Sequence, residues 1–254
     1  MRSGNRRPFV RAVADILISL TLIAGTAISQ PSGDTTSRWS LDLRYGSATF
    51  ASPVATLPLR EFDPGRYVEL SLLPSGAPEY GIAYVFSRDS SVVLTGGIAF
   101  QTMFTTLDVS DSSTRDFEES EYSVATLRIS QVRGTFEIRG YAGLPCGIGM
   151  WRAGLGLTCI WASSVTVLEQ AKSFPGIQSL DPHVNWLLAM DTGLGYRISE
   201  TPLTLTATFT VNLHMEFVSN EDFLKITMTS SSPYRFRDST VSPIYLSLGV
   251  LVDL

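Results

Sequence analysis

In Leu203-Thr204-Leu205-Thr206-Ala207-Thr208-Phe209-Thr210-Val211, apolar and polar side chains alternate without a break. Successive residues of a strand point to opposite sides, so this run has one oily face and one face of threonines. The pattern recurs along the chain in stretches of about 9–15 residues, long enough to cross a bilayer as tilted strands. Hydrophobic residues make up 44% of the chain, charged residues only 17%, and mean hydropathy is +0.16. That is oily for a soluble enzyme, yet beyond the N-terminus no run of about 18 uncharged apolar residues exists to form a membrane helix. Alternation accounts for both, because half of each strand is apolar and never consecutive. The expected class is all-β, with the oily side of a barrel turned outward.

The first residues have the form of a secretory signal. Arg2, Arg6, Arg7 and Arg11 form a basic start, Ile16 to Ile23 anchors a short apolar core, and Ala27-Ile28-Ser29 offers small residues for cleavage before Gln30. Asp15 sits at the edge of that core; an uncleaved anchor is the alternative, which the shortness of the core disfavours. The expected organisation is a signal peptide over 1–29, a short segment over 30–37 and a barrel over 38–254. The formal charge is −5, and residues 1–29 hold four Arg and one Asp, so the mature chain carries −5 − 3 = −8. An acidic surface repels phosphate backbones and argues against a nucleic-acid partner.

Cys146 and Cys159 are the only cysteines. In an oxidising compartment they would close a small disulfide if both lay in one loop region. Two Cys and two His without close spacing make no zinc signature, and neither a metal nor a cofactor is expected.

Eight strand-like segments follow: Trp39 to Phe50, Glu79 to Ser87, a run from Val92 through Phe104, one starting near Glu121, one around Phe136 to Leu144, Val184 to Ile198, Leu203 to about Phe217, and a last one ending at Leu254. Arg88-Asp89-Ser90, Gln131 to Gly134 and Ser199-Glu200-Thr201-Pro202 read as short turns. Residues 51–77, 107–120, 146–183 and 218–240 read as long loops, with Tyr67 to Leu72 extending a neighbouring strand. Connections therefore alternate long and short, the asymmetry of an antiparallel up-and-down eight-stranded transmembrane β-barrel. Two additional strands in 146–183 would make ten. After Glu121 the register is ambiguous: Tyr122 and Val124 share one face, Leu127 and Ile129 the other, and a bulge would reconcile them. Aromatic residues such as Trp39, Tyr45, Tyr80 and Tyr196 fall near strand ends on the oily face, where girdles meet headgroups. The alternative is a soluble, ligand-holding barrel in the periplasm, with its oily face inside.

Six charges fall on the inward face: Asp42, Arg44, Glu137, Arg139, Asp191 and Arg197. Buried ions must pair, so these are expected to form a salt-bridged plug, in a lumen that eight strands leave only wide enough for side chains. His214 and Glu216 share a face at the loop end of their strand, where a general base and its orienting carboxylate would sit in a lipid-modifying barrel enzyme. No nucleophile is marked, so no catalytic residue is assigned, and a polar lining is the plainer role. His183 has no evident chemical partner in the sequence.

The stretches Glu121 to Ser130, Gly134-Thr-Phe-Glu-Ile-Arg-Gly-Tyr-Ala-Gly143, Met190-Asp-Thr-Gly-Leu-Gly-Tyr-Arg197 and Tyr245-Leu-Ser-Leu-Gly-Val250 resemble the eight-stranded bacterial outer-membrane barrels, and most closely the PorT-like barrels of Bacteroidetes-type bacteria. Barrels of this kind end in an assembly signal, and Ser247, Gly249, Val252 and Leu254 fall on its places, with Leu where the pattern has an aromatic residue. The resemblance implies a Gram-negative outer membrane, surrounding outer-membrane lipid, contact with the barrel-assembly machinery during insertion, and a structural, adhesive or secretion-accessory role in which the external loops could meet a protein partner.

Overall fold

The computed structural model describes residues 38–50, 54–58, 67–89, 91–111, 122–145, 147–198, 201–214, 222–234 and 241–254. The expected signal and the segment 30–37 lie outside the described residues, as do Cys146 and Glu216. In chain order the strands are β1 (Trp39–Phe50), β2 (Ala55–Pro58), β3 (Tyr67–Leu72), β4 (Ser75–Arg88), β5 (Val92–Asp111), β6 (Tyr122–Leu144) and β7 (Gly147–Val167). A short helix α1 (Glu169–Ser173) follows, then β8 (Ile177–Pro182), β9 (Asn185–Arg197), β10 (Leu203–His214), β11 (Leu224–Met228) and β12 (Pro243–Asp253).

Eight of these pair as an antiparallel ring in the order β1, β4, β5, β6, β7, β9, β10, β12. It closes where β12 meets β1, with Leu43 opposite Val250 and Ser47 opposite Leu246. Closure leaves the eight ring strands without a free edge, which a sheet in hydrocarbon requires. Short turns lie at one end, beside Trp39 and Leu254, and the longer connections lie at the other. At that long-loop end β2 pairs with β3 and β3 with the upper part of β5, while β8 and β11 form a separate two-stranded sheet. Tyr67 to Leu72, expected to extend a neighbouring strand, is instead a separate strand held between β2 and β5. Among the described residues no helix is long and apolar enough to cross a membrane.

The ring has eight strands, but several segments differ from the sequence reading. The expected loop 51–77 holds β2, β3 and the start of β4, β5 runs into 107–120 as far as Asp111, and 218–240 holds β11. Two further differences change the assignment of ring strands. Gln131 to Gly134 is no turn but the middle of β6, a single strand of 23 residues. Its polar residues face the lumen, where Gln131 and Arg133 are buried. Residues 146–183 are no long loop: β7 fills 147–167 and completes the ring between β6 and β9. Glycines made this strand hard to read, because inward Gly154 and Gly156 leave no side chain to mark the alternation against outward Leu155 and Leu157.

The outer wall is oily, as a lipid-facing wall must be. Leu248 is 68% exposed, and Tyr80, Phe136, Leu155, Leu194 and Leu205 are also exposed on the outside. This overturns the soluble alternative, which would bury that face. On β5 the outward apolar row runs from Val92 to Phe100; at a rise of ~3.3 Å per residue and a 35–45° tilt, that is about 20 Å, close to the roughly 25 Å apolar band of outer-membrane barrels. Outward Gly76, Gly96, Gly140 and Gly147 are covered by aromatic rings from adjacent strands. At Gly140 a Cβ would lie 2.1 Å from the Trp151 indole, so only glycine lets that ring lie flat on the wall.

Above that band the strands continue and the sidedness inverts. Met103, Leu107, Leu127, Ile129, Ile160 and Leu187 are buried inside, joined there by Leu57, Val68 and Leu70 from the β2–β3 hairpin and by Ile177, Phe223 and Ile226 from the opposite side. The outer face at the same height carries Thr126, Ser164 and Thr166. Two bulges accompany the switch. One sets Val124 and Ala125 both inward opposite the Leu107–Asp108 step, and the other lies at Ser163. The bulge expected after Glu121 is therefore present. Leu127 and Ile129 face the interior because water, not lipid, is outside them. Gly176, with φ 90°, closes the turn after α1, and a Cβ there would meet Ser232 at 2.7 Å.

Candidate functional site

Inside the membrane-spanning part, alternate residues of five strands project charged side chains into one lumen. The ions form a single chain of alternating sign. Arg139 donates to Glu137, and Arg152 Nε donates to the other oxygen of Glu137 at 2.9 Å. Arg152 Nη1 crosses the barrel to Asp42 at 2.9 Å. Asp42 pairs with Arg44, whose other nitrogen lies 3.3 Å from Glu79. Arg133 then grips both oxygens of Glu79, at 2.6 and 2.7 Å, and donates to Asp191 at 2.9 Å. Four guanidinium groups thus meet four carboxylates and the charge sums to zero. Leaving one such ion unpaired in this setting costs several kcal/mol, which is why the alternation of sign matters more than any single bridge.

Hydroxyl and amide groups complete the layer. Asp191 also accepts from Thr210, and Arg139 donates to Ser40 at 3.1 Å. Toward the loops a second crossing runs from the Tyr245 hydroxyl to Gln131 at 2.9 Å, from Gln131 to Gln101 at 2.7 Å, and from Gln101 to the Ala77 carbonyl at 3.3 Å. A cavity of ≈ 20 Å³ remains among Asp42, Thr95, Glu137 and Arg139, space for about one water. The apolar layer stacks above it on the long-loop side.

Five of the six charges expected inside join this chain. Arg197 does not: it lies at the short-turn rim, about one-third exposed, 3.5 Å from Asp253 and donating to the Thr201 carbonyl. Its place on the final turn of β9 carries it beyond the buried layer. Glu79, Arg133 and Arg152 were missed for local reasons. Glu79 falls on the same face as Gly81 and Ala83, which marks it as inward; Arg133 was masked by a turn-like composition, and Arg152 by the glycines of β7.

Of the two cysteines expected to pair, Cys146 lies outside the described residues. Cys159 is a free, buried thiol on β7, opposite Val132 on one side and Trp186 on the other. His214 is the last residue of β10, opposite Leu187, and its proposed companion Glu216 is outside the described residues. Among the described residues no cluster of His, Cys, Asp and Glu is placed to hold a metal.

At the C-terminal seam, the Ser247 hydroxyl bonds that of Thr208 at 3.1 Å. Gly249 lies opposite Arg44, where a Cβ would fall 2.4 Å from the Leu43 carbonyl, so that glycine permits a close approach of backbone and charge. Val252 pairs with Leu41, and Leu254 donates its backbone N–H to Trp39 at 2.9 Å.

No family model and no curated protein matches the chain. Among solved structures it is similar to the outer membrane protein OprG from Pseudomonas aeruginosa, at 14% identity and a TM-score of 0.56, over 87% of this chain and 97% of that one. It is also similar to Neisserial surface protein A (12% identity, TM-score 0.42, 87% of this chain and 100% of that one). A third is the outer membrane protein AlkL in lipid bilayers (13% identity, TM-score 0.45, 88% and 93%). The likeness to OprG is one of fold, and the fold is that of a bacterial outer-membrane β-barrel.

Proposed function

We propose that this chain is a non-catalytic outer-membrane barrel whose barrel is sealed and whose long-loop end works as a surface, in a structural, adhesive or secretion-accessory role of the kind a PorT-like protein would have. One observation supports the reading: the alternating ion chain from Arg139 to Asp191, backed by the glutamine–tyrosine crossing and the apolar layer, occupies the lumen with paired side chains, which argues against a solute passage and against an open acid–base site there. The N-terminal signal would bring the chain to the periplasm, the C-terminal Ser247, Gly249, Val252 and Leu254 would engage the assembly machinery, and the long connections would face outward to a protein partner.

The test uses the refolded mature protein in planar lipid bilayers and in lipid vesicles. Expected are no steady single-channel current and no release of fatty acid from the vesicle lipids. A stable ohmic conductance would replace the sealed reading with a pore. Deacylation that disappears in His214→Ala would replace it with a lipid-modifying enzyme.

A further inference from the structure

Where β5, β6 and β7 rise out of the apolar band, their outer wall changes chemistry abruptly. The last lipid-type row holds Phe100 and Val132. In the next, the Thr102 and Ser130 hydroxyls lie 3.1 Å apart, Ser130 buried and with Trp161 opposite it on β7, and Ser163 at the bulge hydrogen-bonds the Arg128 carbonyl at 3.1 Å. One row higher Phe104, Arg128 and Ser164 stand side by side, and above them Thr106, Thr126 and Thr166. Phe104 is 70% exposed and Arg128 lies over its ring, 5.6 Å from the centroid. A guanidinium resting on a ring keeps its in-plane N–H donors available. Among the described residues no carboxylate pairs with Arg128.

We propose that this wall binds the phosphorylated sugar headgroup of the outer leaflet's glycolipid; the inference rests on the orientation given under the proposed function, with the long loops outside. Acyl chains would lie on the apolar wall below, with which the polar rows are continuous. Arg128 would take a phosphate through charge-assisted hydrogen bonds, and the hydroxyl rows would take sugar hydroxyls. Size favours this occupant over a glycerophospholipid. Three strands about 10 Å across and three rows about 13 Å high match several linked sugars, whereas a glycerol phosphate needs only the one cation.

The test mixes the folded barrel in micelles with bis-phosphorylated lipid A, with lipid A stripped of its phosphates, and with phosphatidylglycerol, and reads co-retained lipid by native mass spectrometry. Phosphorylated lipid A should be retained in preference to both others. Arg128→Glu should lower its retention about tenfold, the scale of one lost charge-assisted contact, while Arg88→Glu at the opposite rim should leave it unchanged. Heat-modifiable gel migration verifies that each variant is folded. Undiminished retention in Arg128→Glu, or equal retention of the stripped lipid or of phosphatidylglycerol, overturns the inference. A Ser164→Cys variant, with both native cysteines replaced by serine, separates the two layers of argument. Labelling by an impermeant maleimide on intact cells upholds the orientation. Labelling only after the outer membrane is broken removes the orientation and this inference together, whereas surface labelling with no retention contrast sinks the inference alone.

Discussion

Arg133 is the most consequential single side chain in the lumen. It joins β6 to Glu79 on β4 and Asp191 on β9, each two strands away around the ring, and donates as well to Thr210 at 3.1 Å. Replacing it with methionine keeps the bulk but strands two carboxylates, of which Glu79 retains only the 3.3 Å approach of Arg44. Removing one partner of a buried pair costs about 3–5 kcal/mol. Arg133→Met should therefore lower the urea midpoint of the vesicle-embedded protein by a corresponding amount. Adding Asp191→Asn should restore part of it, because the neutral amide no longer needs a cation. If the single variant unfolds like the parent, the ion chain is not holding the lumen together.

At the scale of one element, β7 shows two rules along a single strand. Below Ser163, Arg152 and Thr158 face in while Leu155 and Leu157 face out; above it Val165 and Val167 pack inward while Ser164 and Thr166 face out. The bulge resets the parity so that lipid-type patterning becomes water-type patterning without ending the strand. A cation should therefore be tolerated at one outward position and not at another. Leu155→Arg, at mid-band, should cost about 2–4 kcal/mol, whereas Thr166→Arg should fall within about ±0.5 kcal/mol of the parent. Urea titration in vesicles measures both, and equal costs would contradict the placement of the lipid boundary.

For the whole molecule, closure is the property on which stability in lipid depends. The seam between β1 and β12 is paired from Ser40 with Asp253 to Phe50 with Pro243, and β12 is equally paired to β10. Deleting residues 247–254 would leave two strand edges with unsatisfied amides in hydrocarbon, each costing several kcal/mol. The truncated chain should show no heat-modifiable folded band after refolding in lipid, while Leu254→Phe, at an exposed terminal position, should fold like the parent. A folded truncated band would mean that the ring closes in some other way.

Strand faces were legible wherever an inward side chain contrasted with an outward one, as in the threonine ladder Thr204 to Thr210, because a period of two needs only residue type to be read. Membrane class and the alternation of long and short connections followed from the same one-dimensional signals. What the chain alone did not fix was which environment lay outside each stretch. Leu127 and Ile129 are apolar like Phe136 and Ile138, yet the first pair faces the interior and the second the lipid, since the boundary of the bilayer falls between them and is set by the ring as a whole. The partners of Arg133 and Arg152 were equally invisible, because ions that meet across a barrel are tens of residues apart in sequence and only closure brings them within 3 Å.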